Sequence, residues 1–152
     1  MKKKTARQQG FTLIELLVVI GILAILLAIT LIAINPARQF AQANNTKRRS
    51  DVNAILNAVN QYMADKQGAL PAGITSSSLS IKKTGGADIC VALVPQYIAA
   101  LPADPKTNEG KSVTDCTSEY VTGYDIVQSA TNNRVTVSAP GVELQDSISV
   151  TR

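Results

Sequence analysis

The chain has 152 residues, enough for one small domain, and carries a formal net charge of +4. It contains no histidine, which excludes Ser–His and Cys–His catalytic pairs. The whole excess of positive charge comes from four residues near the N-terminus: Lys2, Lys3, Lys4 and Arg7. The rest of the chain is close to neutral, so its composition does not indicate binding to nucleic acid.

An almost wholly apolar stretch runs from Phe11 to Ile34. As a helix it would be roughly 36 Å long, enough to cross a hydrocarbon core of ~30 Å. The basic residues precede it and only Arg38 follows closely, which predicts a cytoplasmic N-terminus and a chain that continues outside. The stretch exceeds the ~7–15 apolar residues of a secretory signal. A cleaved signal with its site at Ala41-Gln42-Ala43, an uncut anchor and a buried soluble helix remain alternatives.

One carboxylate, Glu15, lies inside the apolar stretch. A charge at the middle of a spanning helix costs ~2.5–3.5 kcal/mol on insertion scales, and such residues are usually functional. Glu15 would lie ~6 Å from Phe11 along a helix, so a cation near Phe11 would neutralise it best. Cleavage after Gly10 would create that cation, the α-amino group of Phe11. Between staggered helices, an amine–carboxylate pair would set the register.

The segment Gly10-Phe11-Thr12-Leu13-Ile14-Glu15, preceded by a basic leader, resembles the N-terminal signal of type IV pilins and type II secretion pseudopilins. The resemblance extends to about Ile29. It implies that residues 1–10 are a leader peptide, removed by a prepilin peptidase on the cytoplasmic side of the membrane. It also implies N-methylation of Phe11 and a role for Glu15 in assembly.

The same resemblance implies a set of partners and two successive locations. The partners are the prepilin peptidase and methylase, membrane lipid, an inner-membrane assembly platform and other copies of the chain in a helical filament. Nucleic acid is not among them. The precursor is expected as a single-pass protein of the cytoplasmic membrane with its head outside, and the product as a periplasmic or extracellular filament.

Beyond residues 11–34, the transmembrane and filament-core segment, residues 35–67 are predicted as an amphipathic continuation of the same helix. Pro36 lacks an N–H group and either kinks or ends a helix; we expect a kink. Apolar residues then recur at helical spacing, in a stripe formed by Val52, Ile55, Leu56, Val59, Tyr62 and Met63. Gly68 and Pro71 end the helix. The stripe therefore needs a partner from the residues that follow.

Three adjacent basic residues, Lys47, Arg48 and Arg49, lie in this second half of the helix. Because adjacent residues point in different directions on a helix, a nucleic-acid patch is disfavoured. The sequence favours a solvated helix face. Packing against acidic residues of neighbouring subunits is the main alternative.

Residues 68–152 are predicted as a small globular head, which makes the whole an α+β protein. Residues 68–86 are rich in Gly, Ser and Thr and are expected to form a loop, and residues 89–94 form either a strand or one helical turn. Alternating patterns then predict an antiparallel sheet of three or four strands, at 119–128, 134–138 and 142–150. Asn132-Asn133 is expected to form a hairpin turn.

The only two cysteines, Cys90 and Cys116, favour a disulfide in an exported domain. Pilins often close their C-terminal segment with a disulfide, but there the second cysteine usually lies closer to the terminus. Here a long segment follows Cys116, so equivalence to that disulfide does not follow.

The turn Leu101-Pro102-Ala103-Asp104-Pro105, followed by Tyr120 and Tyr124, is similar to a turn of major pseudopilins. Some of those proteins bind calcium in the loops around the sheet. The residues here that offer oxygen ligands are Asp104, Asn108, Glu109 and Asp115, although their spacing matches no fixed loop pattern. These four residues are therefore candidate calcium ligands only, and no other cofactor or metal is expected.

We expect a structural protein and no enzyme, because no phosphate-binding loop or nucleophile motif is present. The expected function is that of a type IV pilus-like filament subunit. The first alternative is the major pseudopilin of a type II secretion system. The second is an uncut, membrane-anchored extracellular binding protein.

Overall fold

The computed structural model describes residues 10–152. The chain divides between Gln39 and Phe40 into two compact units. The unit from Phe40 to Arg152 includes the predicted head together with most of the helix before it, and from here on this whole unit is called the head. The helices are α1 (Leu13–Ile34), α2 (Pro36–Asp65) and the one-turn α3 (Cys90–Leu93). The strands are β1 (Leu79–Lys82), β2 (Val121–Gln128), β3 (Val135–Ser138) and β4 (Ser149–Thr151). The predicted α+β class is confirmed.

One residue, Asn35, separates α1 from α2. Its backbone is left-handed, with φ of 45° and ψ of 78°, so the helical path stops there. Its side-chain oxygen accepts a hydrogen bond from the Arg38 N–H at 3.3 Å, which caps the new helix. Pro36 is the first residue of α2, a position that tolerates the missing N–H. The single helix predicted over 11–67 is therefore two helices, and the second ends at Asp65.

The apolar stripe of α2 lies in the core of the head, as predicted. Val52, Ile55 and Val59 are fully buried, and Tyr62 and Met63 are half-buried against the same cluster. The sheet contributes the facing side chains, which are Ile81, Tyr124, Ile126, Val135 and Val137. Burial of these apolar surfaces, at roughly 25 cal/mol per Å², is what joins the helix to the sheet.

The sheet is antiparallel throughout, in the order β1-β2-β3-β4. Strand β1 lies within residues 68–86, so the prediction of a loop across that whole range is wrong. The Leu79–Lys82 segment is short and follows a run of serines, and only its pairing with β2 makes it a strand. The turn between β2 and β3 is closed by the Ser129 N–H, which donates to the Arg134 carbonyl at 2.8 Å.

The strand predicted over 142–150 is also wrong for most of its length. Only Ser149–Thr151 pairs with β3. Leu144 and Gln145 have φ of 61° and 53°, a left-handed conformation that is not the extended backbone of a regular strand. The weak alternation of this segment therefore belongs to a loop followed by a short edge strand.

Strand β2 contains one glycine that its surroundings require. Gly123 has φ of 80°, and a Cβ there would lie 2.7 Å from Thr107 Oγ1 and 2.9 Å from Asp104 Cβ. A side chain would therefore clash with the turn beside the strand. The close approach places Asp104 directly against the sheet.

A disulfide joins Cys90 of α3 to Cys116, with the two Cα atoms 5.4 Å apart. Residues 89–94, for which strand and helix were both open, form this one-turn helix. The bond ties the segment before β2 to the core, where Cys90 is fully buried. The predicted pairing of the two cysteines is thus present in the structure.

Replacing both cysteines with serine should lower the free energy of unfolding by roughly 3–4 kcal/mol, because the disulfide restricts the unfolded chain. Denaturant titration of the full chain in detergent measures this loss. Wild type treated with reductant should match the double variant. Equal stability of oxidised wild type and the variant would contradict the structural role of the bond.

Candidate functional sites

Residues 10–12, which directly precede α1, are exposed and lie outside the helix. Gly10 and Phe11 precede the helix start at Leu13, and Phe11 is 85% exposed. A Cβ built on Gly10 meets no described atom within 4 Å. The described fold therefore gives no packing reason for a glycine at this position, and the peptide bond between Gly10 and Phe11 is open to solvent or to an enzyme. The remainder of the predicted leader, residues 1–9, lies outside the described residues.

Glu15 is held at the start of α1 by a reciprocal hydrogen-bond pair with Thr12. The Thr12 N–H and hydroxyl donate to Glu15 Oε2 at 2.8 and 2.7 Å, and the Glu15 N–H donates to Thr12 Oγ1 at 3.3 Å. This is a capping box, with Thr12 as N-cap. The carboxylate also lies at the positive end of the helix dipole. Sequence reasoning missed the Thr12 contact, which the Thr-x-x-Glu spacing would have revealed.

The remainder of α1 offers an apolar surface on every side. None of its 22 residues is buried in the described structure. Its mean hydropathy reaches 3.3, and it is long and apolar enough to cross a membrane. The described residues therefore do not bury the apolar side chains of α1.

A buried ion-pair cluster is the main polar feature of the head. The Arg48 side chain is fully buried, and its Nε and Nη2 donate to the two oxygens of Asp104 at 2.5 and 3.1 Å. Its Nη1 donates to Glu143 Oε2 at 2.8 Å and to Asn45 Oδ1 at 3.0 Å. One guanidinium thus joins α2, the turn 101–105 and the loop after β3.

The flanking basic residues act differently from Arg48. Lys47 Nζ donates to the Ala103 carbonyl at 2.8 Å and to Asp51 Oδ2 at 2.7 Å. Arg49 forms an exposed ion pair with Asp146. The prediction of a solvated helix face is therefore wrong for Arg48, which turns inward because its acidic partners come from distant parts of the same chain.

The electrostatics of the cluster follow from these contacts. Hydrogen bonding to Asp104 raises the pKa of Arg48 further above its usual range, despite the opposing effect of burial. Burial alone would raise the pKa of Asp104, but the bonds from Arg48 and the Lys106 N–H outweigh it and lower that pKa. Bonds from Lys106, Arg48 and Asn44 lower the pKa of Glu143 to about 2. All three groups are therefore charged at neutral pH.

The candidate calcium ligands are engaged in separate contacts. Both Asp104 oxygens accept hydrogen bonds from Arg48, and Asn108 Nδ2 donates to the Lys111 carbonyl at 3.1 Å. Glu109 pairs with Lys111 at 2.5 Å. Asp115 accepts the Thr117 N–H at 2.8 Å, and its bonds to Ser118 and Thr117 lower its pKa. Across residues 10–152, no three His, Cys, Asp or Glu side chains are grouped to hold a metal ion.

Replacing Arg48 with Met should lower the free energy of unfolding by about 3–5 kcal/mol, because Asp104 would remain buried without its partner. Arg49→Met is the matched control on the next residue, and loss of its exposed pair should cost about 0–1 kcal/mol. Denaturant titration at neutral pH measures both. Equal effects of the two substitutions would refute the proposed importance of the buried pair.

The stability contributed by Glu143 should depend on pH, because its pKa falls from the ordinary 4.5 to about 2 in the folded state. The stabilisation by Glu143 is complete above the pKa that this group has in the unfolded chain, and it is lost as the pH drops towards 2. Glu143→Gln should therefore lie closest to wild type in stability at the acid end of this window. Unfolding free energies measured from pH 6 to 2 test this, with Glu109→Gln as a surface control. A constant difference between wild type and Glu143→Gln would contradict it.

Comparison with known proteins gives one match. A family model described as the prokaryotic N-terminal methylation motif matches residues 5–31. This range includes the Gly10–Phe11 bond, the Thr12–Glu15 pair and most of α1, but none of the head. Searches of the curated proteins and of the solved structures found no match. The chain therefore carries the prepilin-type N-terminal signal found in precursors of type IV pilins and pseudopilins.

Proposed function

We propose that this protein is the precursor of a structural subunit of a type IV pilus-like filament. The observation that carries the proposal is the methylation motif at residues 5–31, which coincides with a helix that has no buried residue. An apolar helix that none of the described residues buries needs lipid or other copies of itself to cover it. The proposal requires no cofactor.

Before cleavage, α1 serves as a membrane anchor. Its 22 residues correspond to roughly 33 Å of helix, which matches the ~30 Å hydrocarbon core. The basic residues of the leader keep the N-terminus in the cytoplasm and direct the head to the outside. The precursor is then a single-pass protein of the cytoplasmic membrane.

The prepilin peptidase cleaves between Gly10 and Phe11, and the new Phe11 amine is methylated. Two features support this position: the bond precedes the first helical residue, and Gly10 has open space around its Cα. Since no described contact requires a glycine there, recognition by the peptidase accounts for its presence.

After cleavage, α1 leaves the lipid and packs with other α1 helices in the filament core. Lipid tails are as apolar as leucine, so this exchange has little hydrophobic drive of its own, and polar contacts gain importance. The Phe11 amine and the Glu15 carboxylate provide such a contact between neighbouring copies. An inner-membrane assembly platform would perform the transfer.

The second candidate is the major pseudopilin of a type II secretion system. The turn Leu101–Pro105 favours it, and in the structure this turn is the one held by Lys47 and Arg48. A neighbouring gene for a retraction motor would support the pilus. An outer-membrane secretin encoded with other secretion components would support the pseudopilus.

The N-terminus and assembly of the mature protein test the proposal together. Mass spectrometry of the purified protein should show a chain that begins at methylated Phe11. Glu15→Gln should be cleaved normally yet yield few filaments, because it cannot pair with the amine. Glu109→Gln, on the head surface, is the charge-matched control and should assemble as wild type.

A protein that still begins with Met1 would refute the filament proposal and favour an uncut, membrane-anchored binding protein. Normal filaments from Glu15→Gln would refute only the role assigned to Glu15. The two outcomes are therefore separable in one set of preparations.

A further inference from the structure

Glu143, in the loop between β3 and β4, is fixed by both its backbone and its side chain. Its N–H donates to Asn45 Oδ1 at 3.0 Å, and its carbonyl accepts from Asn45 Nδ2 at 2.7 Å. Its carboxylate accepts from Asn44, Arg48 and Lys106 at 3.0, 2.8 and 2.6 Å. The position and direction of the chain at this point are therefore set by α2 and by the turn 101–105.

The two residues that follow are held in an unfavourable backbone conformation. Leu144 and Gln145 have φ of 61° and 53°, in the left-handed region that favours Gly and Asn. Neither residue is of the type that adopts this region readily. Such conformations persist where the surroundings over-determine them, and they are concentrated at functional positions.

This conformation displays an aliphatic side chain on the surface. Leu144 is 50% exposed and lines a groove of about 560 Å³ against α2. The other lining residues are Gln42, Asn45, Thr46, Arg49, Gln145 and Asp146. The two charged residues, Arg49 and Asp146, are paired with each other, so the groove presents uncharged polar groups around one leucine.

We propose that the Leu144 groove, defined by these seven residues, is a contact site for a second copy of this chain in the filament. This inference rests on the proposed function. A groove whose charges are already paired is suited to an uncharged protein surface and offers little to nucleic acid or an anionic lipid headgroup.

The position of the groove in the chain identifies the second copy as its occupant. Its helical wall, residues 42–49, belongs to the first half of α2, which follows α1 after a single residue. Because Gln42 lies only eight residues after the end of α1, copies that pack through α1 keep this wall of the groove within reach of a neighbouring copy. The groove therefore lies close along the chain to the proposed filament interface.

The substitution Leu144→Asn tests the role of the exposed side chain separately from that of the backbone conformation. Asparagine tolerates left-handed φ, so the melting temperature of the full chain in detergent should rise by about 1–4 °C. Filament yield should nevertheless fall several-fold, because the leucine is lost. Val91→Asn is the control, since Val91 is 72% exposed and lies outside the groove, and its filament yield should match wild type.

A photo-cross-linking residue placed at position 144 tests the occupant directly. In filaments it should yield dimers of the chain, and in uncleaved precursor it should yield none. The same residue at position 91 should yield far fewer dimers. If Leu144→Asn instead lowers the melting temperature, this cross-linking result decides between a contact and a structural role.

Wild-type filament yield from Leu144→Asn, or cross-links only to a different protein, would overturn the inference and leave the filament proposal intact. Absence of filaments in wild type, with Met1 retained, would refute the filament proposal itself. The wild-type control in each experiment distinguishes the two failures.

Discussion

The buried guanidinium of Arg48 is the interaction on which the head depends. It joins a helix residue to Asp104, 56 positions later, and to Glu143, 95 positions later. A buried ion pair contributes little net stability compared with apolar packing, but removal of one partner is costly because the other charge is stranded. The ion pair therefore acts mainly by excluding other positions of these two segments relative to α2. It fixes the turn beside β2 and the loop that leads into β4, and Gly123 leaves the space in which that turn fits.

The sequence predicted the parts of the fold that local patterns encode. Hydrophobic periodicity indicates which residues of a helix or strand face the core. It was sufficient to predict the apolar stretch, the stripe of α2 and the strands around Tyr124 and Val137. Strand β1 could not be predicted this way, because Leu79–Lys82 becomes a strand through pairing with residues 39 to 47 positions away. Arg48 was mistaken for a solvated residue for the same reason. Its burial is decided by carboxylates that no local window contains.

The N-terminal site was more accessible to sequence reasoning than the head. The Gly10–Phe11 junction and Glu15 were predicted as functional from six consecutive residues, and the matched motif includes these residues. A candidate site formed by neighbouring residues can be recognised from a short segment of the sequence. The left-handed backbone at Leu144 cannot be recognised in this way, because leucine gives no local sign of positive φ. The contacts that hold Glu143 impose this left-handed conformation on the next residue.

In the proposed membrane-anchored precursor, the interruption at Asn35 limits how deeply α1 can enter the bilayer. The last turn of a helix has carbonyl groups without N–H partners of its own, and Pro36 supplies no N–H to extend the ladder. Such groups cost several kcal/mol each in hydrocarbon, so they must reach water or lipid headgroups. In that precursor, the end of α1 at Ile34 would therefore lie at the outer boundary of the membrane. The single asparagine that stops the helix would then determine how far the proposed anchor enters the bilayer.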